Sequence, residues 1–283
     1  MAIGRTFILT LGALVAFASN SLLCRLALGR HLIDPAAFTA IRIASGAIAL
    51  GLLAWPERRR RAAPPGTRAG WWSGFLLFAY AIAFSLAYVT LTASTGALIL
   101  FAAVQATIIA GAIANGERPR TLEWCGLALA LAGLVYLTLP GLSAPPLAGS
   151  VLMLGAGVAW GLYTLRGRGS ASPLLDTARN FACAVPAVVV VSLAMHTKWH
   201  VSQSGILCAA ASGVIASGLG YVVWYAALRG LSAPRAAMVQ LAVPVIAALG
   251  AVLFLSESVG ARLFVSAGLI LGGIALALTR RSH

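Results

Sequence analysis

The chain has 283 residues, of which 60% are hydrophobic and 9% charged, with a mean hydropathy of +0.95 and a formal net charge of +14. A soluble domain carries about 25% charged residues, so soluble barrels and doubly wound folds of this length are excluded and a polytopic membrane protein fits. Nor does the positive charge mark a nucleic-acid binder, because the arginines fall mainly at the ends of apolar runs.

A bilayer span needs about 20 mostly apolar residues. Ten such segments are predicted, at about 5–25, 36–55, 71–91, 94–115, 121–139, 146–165, 173–194, 203–226, 234–255 and 260–279. The first, Phe7 to Cys24 behind Arg5, reads as a retained span rather than a signal peptide, since many similar segments follow it. Breakers divide the spans: Pro56 before the arginine-rich loop, Pro64-Pro65-Gly66 within it, Pro119 after Glu117, then Pro140-Gly141 and Pro145-Pro146 at the middle of the chain. The loops are short, which leaves no room for an extramembrane domain.

The cations set the orientation. With the N-terminus in the cytoplasm, fourteen arginines fall inside (Arg5, Arg58, Arg59, Arg60, Arg61, Arg68, Arg118, Arg120, Arg166, Arg168, Arg229, Arg235, Arg280 and Arg281). Four cations fall outside, namely Arg25, Arg30, Lys198 and Arg262. That asymmetry follows the positive-inside rule with both termini cytoplasmic.

The chain also reads as two halves, 1–140 and 141–283. An offset of 140 takes Glu117 to Glu257 and Gly133 to Gly273, 137 takes Arg42 to Arg179, and 138 takes Pro35 to Pro173. Gln105 and Gln240 stand at similar places in their halves. Five spans per half is odd, so the second half enters the membrane inverted, a design suited to alternating access. The expected fold is all-α: ten transmembrane helices in two inverted-topology five-helix repeats.

Polar residues inside the spans narrow the function. A mid-membrane charge costs about 2.5–3.5 kcal/mol on insertion scales, so Arg42 and Arg179, each about two turns into a span, face protein, a cavity or the interface. They either frame gates or meet a substrate carboxylate, or else they snorkel or tie helix-end carbonyls that hold the repeats together. The second reading is the expectation, with Asp176 as partner of Arg179. Asn20, Gln105 and Gln240 either orient a substrate in a central cavity or bond a neighbouring helix. Gln240 favours the cavity because Pro244, one turn on, opens the local hydrogen bonding. Tyr80, Phe84 and Tyr88 form a stripe on the third span, Trp160 and Tyr163 a face on the sixth, and Tyr221, Trp224 and Tyr225 another on the eighth. These either line an apolar cavity with polar handles or pack helices. Glu117 and Glu257 lie just beyond spans and read as loop anchors. Gly126, Gly133, Gly268, Gly272 and Gly273 suit close helix packing, within the chain or in a homodimer, although a monomer suffices.

No phosphate-binding glycine-lysine loop, mid-span carboxylate, catalytic histidine cluster or metal-ligand spacing is present in the sequence. No enzyme chemistry, cofactor or metal site is expected, and the four cysteines read as small core residues.

Several motifs in order carry a family resemblance: Ser19-Asn20, the Pro35…Phe38…Arg42 opening, Ala159-Trp160-Gly161-Leu162-Tyr163, Tyr225-Ala226-Ala227-Leu228, and Val243-Pro244 before Ser256-Glu257 and a glycine-rich last span. From Thr6 to Thr279 the chain resembles the drug/metabolite transporter superfamily, in particular its EamA-type ten-span members. Two features depart from the pattern. Val104 stands where the second half has Pro244, and Phe17-Ala18-Ser19-Asn20 stands where many relatives carry a Trp-Gly element. The resemblance implies a secondary transporter in the bacterial inner membrane, surrounded by lipid, that exports amino acids, of the aromatic type in the closest likeness, or similar small metabolites. The missing carboxylate relay suits a uniporter. The alternative is an exporter of drugs or cationic metabolites coupled to protons or another gradient.

Overall fold

The structure, a computed structural model, describes residues 2–60, 68–91, 93–117, 120–138, 146–195, 200–255 and 261–278. Its helices are α1 (Ala2–Gly29), α2 (Pro35–Arg60), α3 (Arg68–Ala87), α4 (Ala93–Ala114), α5 (Thr121–Thr138), α6 (Leu147–Gly167), α7 (Pro173–Met195), α8 (Gln203–Ala211), α9 (Gly220–Leu228), α10 (Ala233–Gln240), α11 (Ala242–Leu255) and α12 (Ala261–Leu278). A π-helical stretch, Ser212–Leu219, joins α8 to α9, so that Gln203–Leu228 forms one rod. Together α10 and α11 make a second rod, interrupted at Leu241.

Among the described residues six helices are long and apolar enough to cross a bilayer: Gly4–Gly29, Pro35–Arg59, Gly70–Ala87, Leu147–Gly167, Pro173–Ala194 and Gln203–Leu228. Over the described residues the other four apolar helices, Ile99–Ala114, Thr121–Gly133, Ala233–Ala247 and Phe264–Leu276, are shorter. The expectation of ten spans is met in helix number, and over the described residues six of the ten have the length of a full span. The ninth span is interrupted at Leu241, ahead of Pro244, which lacks the N–H that would bond the Gln240 carbonyl and whose ring crowds that carbonyl. Pro56 does not end α2 as expected. It sits about one turn from the terminus, and the helix runs on to Arg60, with the Arg59 guanidinium 4.9 Å from the centre of the Trp55 ring.

Many large apolar side chains face outward. Phe7, Ile8, Leu52, Leu147, Val190, Leu193, Leu253 and Phe264 are all exposed, an arrangement that water would penalise and hydrocarbon tolerates. Inside, α2 lies along α7, α3 packs on α6 and α7, and α4 packs on α6 and α10. Helix α1 packs on α9, α11 and the π-helical stretch, while α5 and α12 pair along their length. Gly133 and Gly273 make that last contact close. A Cβ added at Gly268 or Gly272 would meet nothing within 4 Å, so the close-packing reading does not extend to them inside this chain.

The two ends of the bundle are tied differently. At one, Asp34 caps α2 by accepting from the Ala36 and Ala37 amides at 2.9 and 3.0 Å. Beside it, Ile33 bridges Val201 and the Ser202 amide donates to the Leu32 carbonyl at 2.8 Å. At the other end, Glu117 accepts from Arg168 Nη1 at 2.6 Å and from the Ala233 amide at 3.1 Å, which caps α10. Glu117 thus anchors segments from both halves of the chain, while Glu257 lies outside the described residues.

Candidate functional site

The helices converge on a small cavity. Helix α1 contributes Phe17, Asn20 and Ser21, α3 Tyr80 and Phe84, and α4 Leu100 and Phe101. From the second half come Trp160 of α6, Tyr221 of α9, Gln240 of α10 and Val243 of α11. The volume is about 30 Å³, room for a water molecule or two.

Its walls are aromatic rings in mutual contact. Trp160 lies 5.1 Å from Tyr80, 4.7 Å from Tyr221 and 5.2 Å edge-on from Phe17, measured between ring centres. Phe17 also meets Tyr221 and Trp224 edge-to-face, the geometry that ring quadrupoles favour. The polar atoms among these rings are fixed by few bonds. Trp160 donates its indole Nε1–H to Gln240 Oε1 at 2.8 Å, and Gln240 Nε2 donates back to the Ala236 carbonyl at 3.2 Å. Asn20 Oδ1 accepts from the Ser212 hydroxyl at 2.5 Å, which binds α1 to the start of the π-helical stretch.

That stretch also receives Arg42. The Gly220 amide bonds the Ile215 carbonyl, five residues back, and such π-helical turns recur at functional sites. Gly213 lets α2 pass at contact distance, since a Cβ there would run into the Arg42 carbonyl and the Ser45 hydroxyl. Arg42 is consequently fully buried. Its Nε donates to Ser217 Oγ at 2.9 Å and its Nη2 to the Tyr221 hydroxyl at 2.7 Å, while its guanidinium lies 5.4 Å from the centre of the Tyr80 ring. Neither snorkelling nor a tie to helix-end carbonyls describes this residue. It points inward to side chains because α2 is clamped between α7 and the π-helical stretch.

The sequence-derived candidates divide. Asn20, Tyr80, Phe84, Trp160, Tyr221 and Gln240 line the cavity. Tyr88, Gln105, Tyr163 and Trp224 are not among its lining residues. Tyr88 falls in the turn just after α3 and meets Phe84 edge-on at 4.7 Å. Tyr163 stacks behind Trp160 and its hydroxyl receives the Asn180 amide at 3.4 Å. Trp224 is fully buried, with its indole nitrogen unpaired. Gln105 Nε2 donates instead to the Ala237 carbonyl on α10 at 2.6 Å. The expected Asp176–Arg179 pair does not form. Asp176 accepts from Ser170 at 2.6 Å, and the Arg179 side chain packs over Gly70. Pro244 is buried directly beyond the break at Leu241.

Phe101 and Ser217 were not singled out from the sequence, and Phe17 was noted only as part of a departure from the family pattern. Phe17 carried a signal, standing three residues before Asn20 on the same helix face. Ser217 carried one only relative to Tyr221, four residues on. Among the described residues no group of acidic, histidine or cysteine side chains could hold a metal ion.

A multi-helical membrane protein with a polar and aromatic cavity lined from both halves of the chain is the class that the fold and site define. The EamA-like transporter family matches residues 4–139 and again 147–279, and the chain belongs to that family, within the drug/metabolite transporter superfamily. It is a multi-pass membrane transporter, not an enzyme. The chain is 50% identical over 277 residues to the uncharacterized protein PA1977 of Pseudomonas aeruginosa, covering 98% of this chain and 96% of that one. It is 26% identical over 252 residues to the uncharacterized transporter YwfM of Bacillus subtilis, covering 85% and 83% of the two chains. A crystal structure of a protein 18% identical superposes over 97% of both chains with a TM-score of 0.79, which shows a shared fold.

Proposed function

We propose that the chain is a secondary transporter that exports amino acids or related small metabolites across the bacterial inner membrane by alternating access. The observation that carries this reading is the cavity, because each half of the chain supplies part of its wall and Gln240 stands within a ring of aromatic side chains. In the state described it is far smaller than the roughly 300–1,000 Å³ of ligand pockets. Substrate therefore enters only when the helices part, as alternating access requires.

The unit that moves is a pair of inverted five-helix repeats, 1–140 and 141–283, giving ten spans with both termini in the cytoplasm. Three observations support it. The family matches the chain twice, once per half. The helix contacts also exchange when the halves are swapped: α3–α6 corresponds to α1–α9, and α4–α6 to α1–α11, while α2–α7 and α5–α12 map onto themselves. Finally, α4, with 22 residues, and α5 and α12, with 18 each, are about 27–33 Å long at 1.5 Å per residue, close to the roughly 30 Å hydrocarbon core. A monomer completes the cavity, and a homodimer is not required.

Among the described residues no acidic side chain lines the cavity, which suits transport driven by the substrate gradient alone. Export of cationic drugs is the weaker reading, because the buried Arg42 guanidinium repels a cation at this site. Counterflow of a labelled amino-acid panel into proteoliposomes tests the proposal. Uptake that is unchanged by an imposed pH gradient is expected. No flux with any amino acid would overturn the substrate class, and dependence on the proton gradient would overturn the uniporter.

A further inference from the structure

Arg42 is a fully buried cation whose surroundings are incomplete. A buried guanidinium normally has a carboxylate and a full set of acceptors, because an unpaired charge away from water is costly. Here Nε and Nη2 are bonded to hydroxyls, and Nη1 has no hydrogen-bond partner. Among the described residues no carboxylate pairs with it. Asp34, Glu57, Glu117, Glu123 and Asp176 all stand at helix ends or in the turns beside them. The two rings that contact the guanidinium, Tyr80 and Tyr221, both line the cavity. Arg42 is therefore separated from the cavity by the thickness of one side chain.

We propose that Arg42 is the anion anchor of this transport site, taking the carboxylate of an apolar or aromatic monocarboxylate or amino acid; this rests on the transport reading above and specifies its chemistry. Nη1 and Nη2 form the planar fork that matches two carboxylate oxygens. Nη1 has no hydrogen-bond partner of its own, and the neutral hydroxyls of Tyr221 and Tyr80 beside the fork are outcompeted by a carboxylate because a charge-assisted bond is stronger. When the Tyr80–Tyr221 layer parts, a substrate oxygen replaces the Tyr221 hydroxyl on Nη2 and the second oxygen meets Nη1. The apolar part of the ligand then lies against Trp160 and Phe17. A ligand with a neutral amide in place of the carboxylate loses the charge-assisted pair, and a simple amine is repelled.

The test uses the full chain in detergent micelles, titrated calorimetrically with phenylacetate, phenylacetamide and phenethylamine, and with L-phenylalanine against L-phenylalaninamide. The acids are expected to bind about tenfold or more tightly than the amides, the scale of a charged hydrogen bond, and phenethylamine weakest. R42Q should abolish that preference while weak affinity for the aromatic group persists, and R42K should retain part of it, since it keeps the charge but not the fork. The acid–amide comparison on the unsubstituted chain needs no variant to fold. Equal binding of acid and amide, tighter binding of the amine, or a preference that survives in R42Q overturns the anchor. If amino-acid counterflow persists in that case, the transport reading stands without it. Absence of both binding and counterflow overturns the two together.

Discussion

Gln105 Nε2 donates to the Ala237 carbonyl at 2.6 Å across the two halves of the chain. That carbonyl is available because the Leu241 amide turns to Met238 instead of reaching back four residues. The turn lies just ahead of Pro244, whose missing N–H also frees the Gln240 carbonyl. A bend in one half is thus stabilised by an amide from the other. Gln105→Leu strands the Ala237 carbonyl in a dry interior and should lower stability by about 1 kcal/mol. Thermal unfolding in detergent measures it, and substrate affinity should stay nearly constant because Gln105 does not line the cavity. An unchanged or raised melting temperature would count against the assignment.

Pro244→Ala restores the N–H and permits α10 and α11 to join as one helix. We expect equal or greater thermal stability together with a several-fold slower counterflow, since straightening the rod displaces Gln240. Equal counterflow rates for variant and parent would show that the break has no part in transport.

Trp160 and Gln240 meet through one hydrogen bond of 2.8 Å, and Gln240 is 1% exposed. Trp160→Phe leaves the Gln240 oxygen buried and unpaired, at a cost of about 1–3 kcal/mol beyond lost packing. A double-mutant cycle with Gln240→Met should give a coupling of about 1 kcal/mol. Strict additivity in denaturation measurements would mean that the bond contributes nothing.

Gly213 and Gly272 give a contrasting pair. An alanine at 213 collides with the Arg42 carbonyl and forces α2 off the π-helical stretch, so Gly213→Ala should cost about 3 kcal/mol or reduce the yield of folded protein. At 272 the same change meets open space and should be neutral or stabilise by up to about 1 kcal/mol. Comparable melting temperatures for the two variants would refute the close approach.

Much of the site was legible in the chain because membrane burial makes polar residues conspicuous. Asn20, Gln240 and the aromatic pattern at 80 and 84 stand out against alanine and leucine, and all of them line the cavity. Phe17 was harder to single out, since an aromatic residue in an apolar run has no contrast. Gln105 is as conspicuous as Gln240 yet points at a backbone carbonyl, because the bend that frees that carbonyl belongs to another helix. Asp176 precedes Arg179 by a helical interval that permits pairing, but Ser170, in the preceding turn, reaches its carboxylate.

Composition and hydropathy period by themselves determined an all-helical membrane protein and the approximate limits of its helices, because transfer into hydrocarbon acts residue by residue along the chain. The inward turn of Arg42, the unpaired Nη1 and the π-helical stretch that receives it were decided only by tertiary structure. Each depends on Gly213, Ser217 and Tyr221 meeting a helix some 170 to 180 residues away in sequence, a distance over which local propensity carries no information. A buried cation is visible in the sequence as a cost, and only packing shows what offsets it.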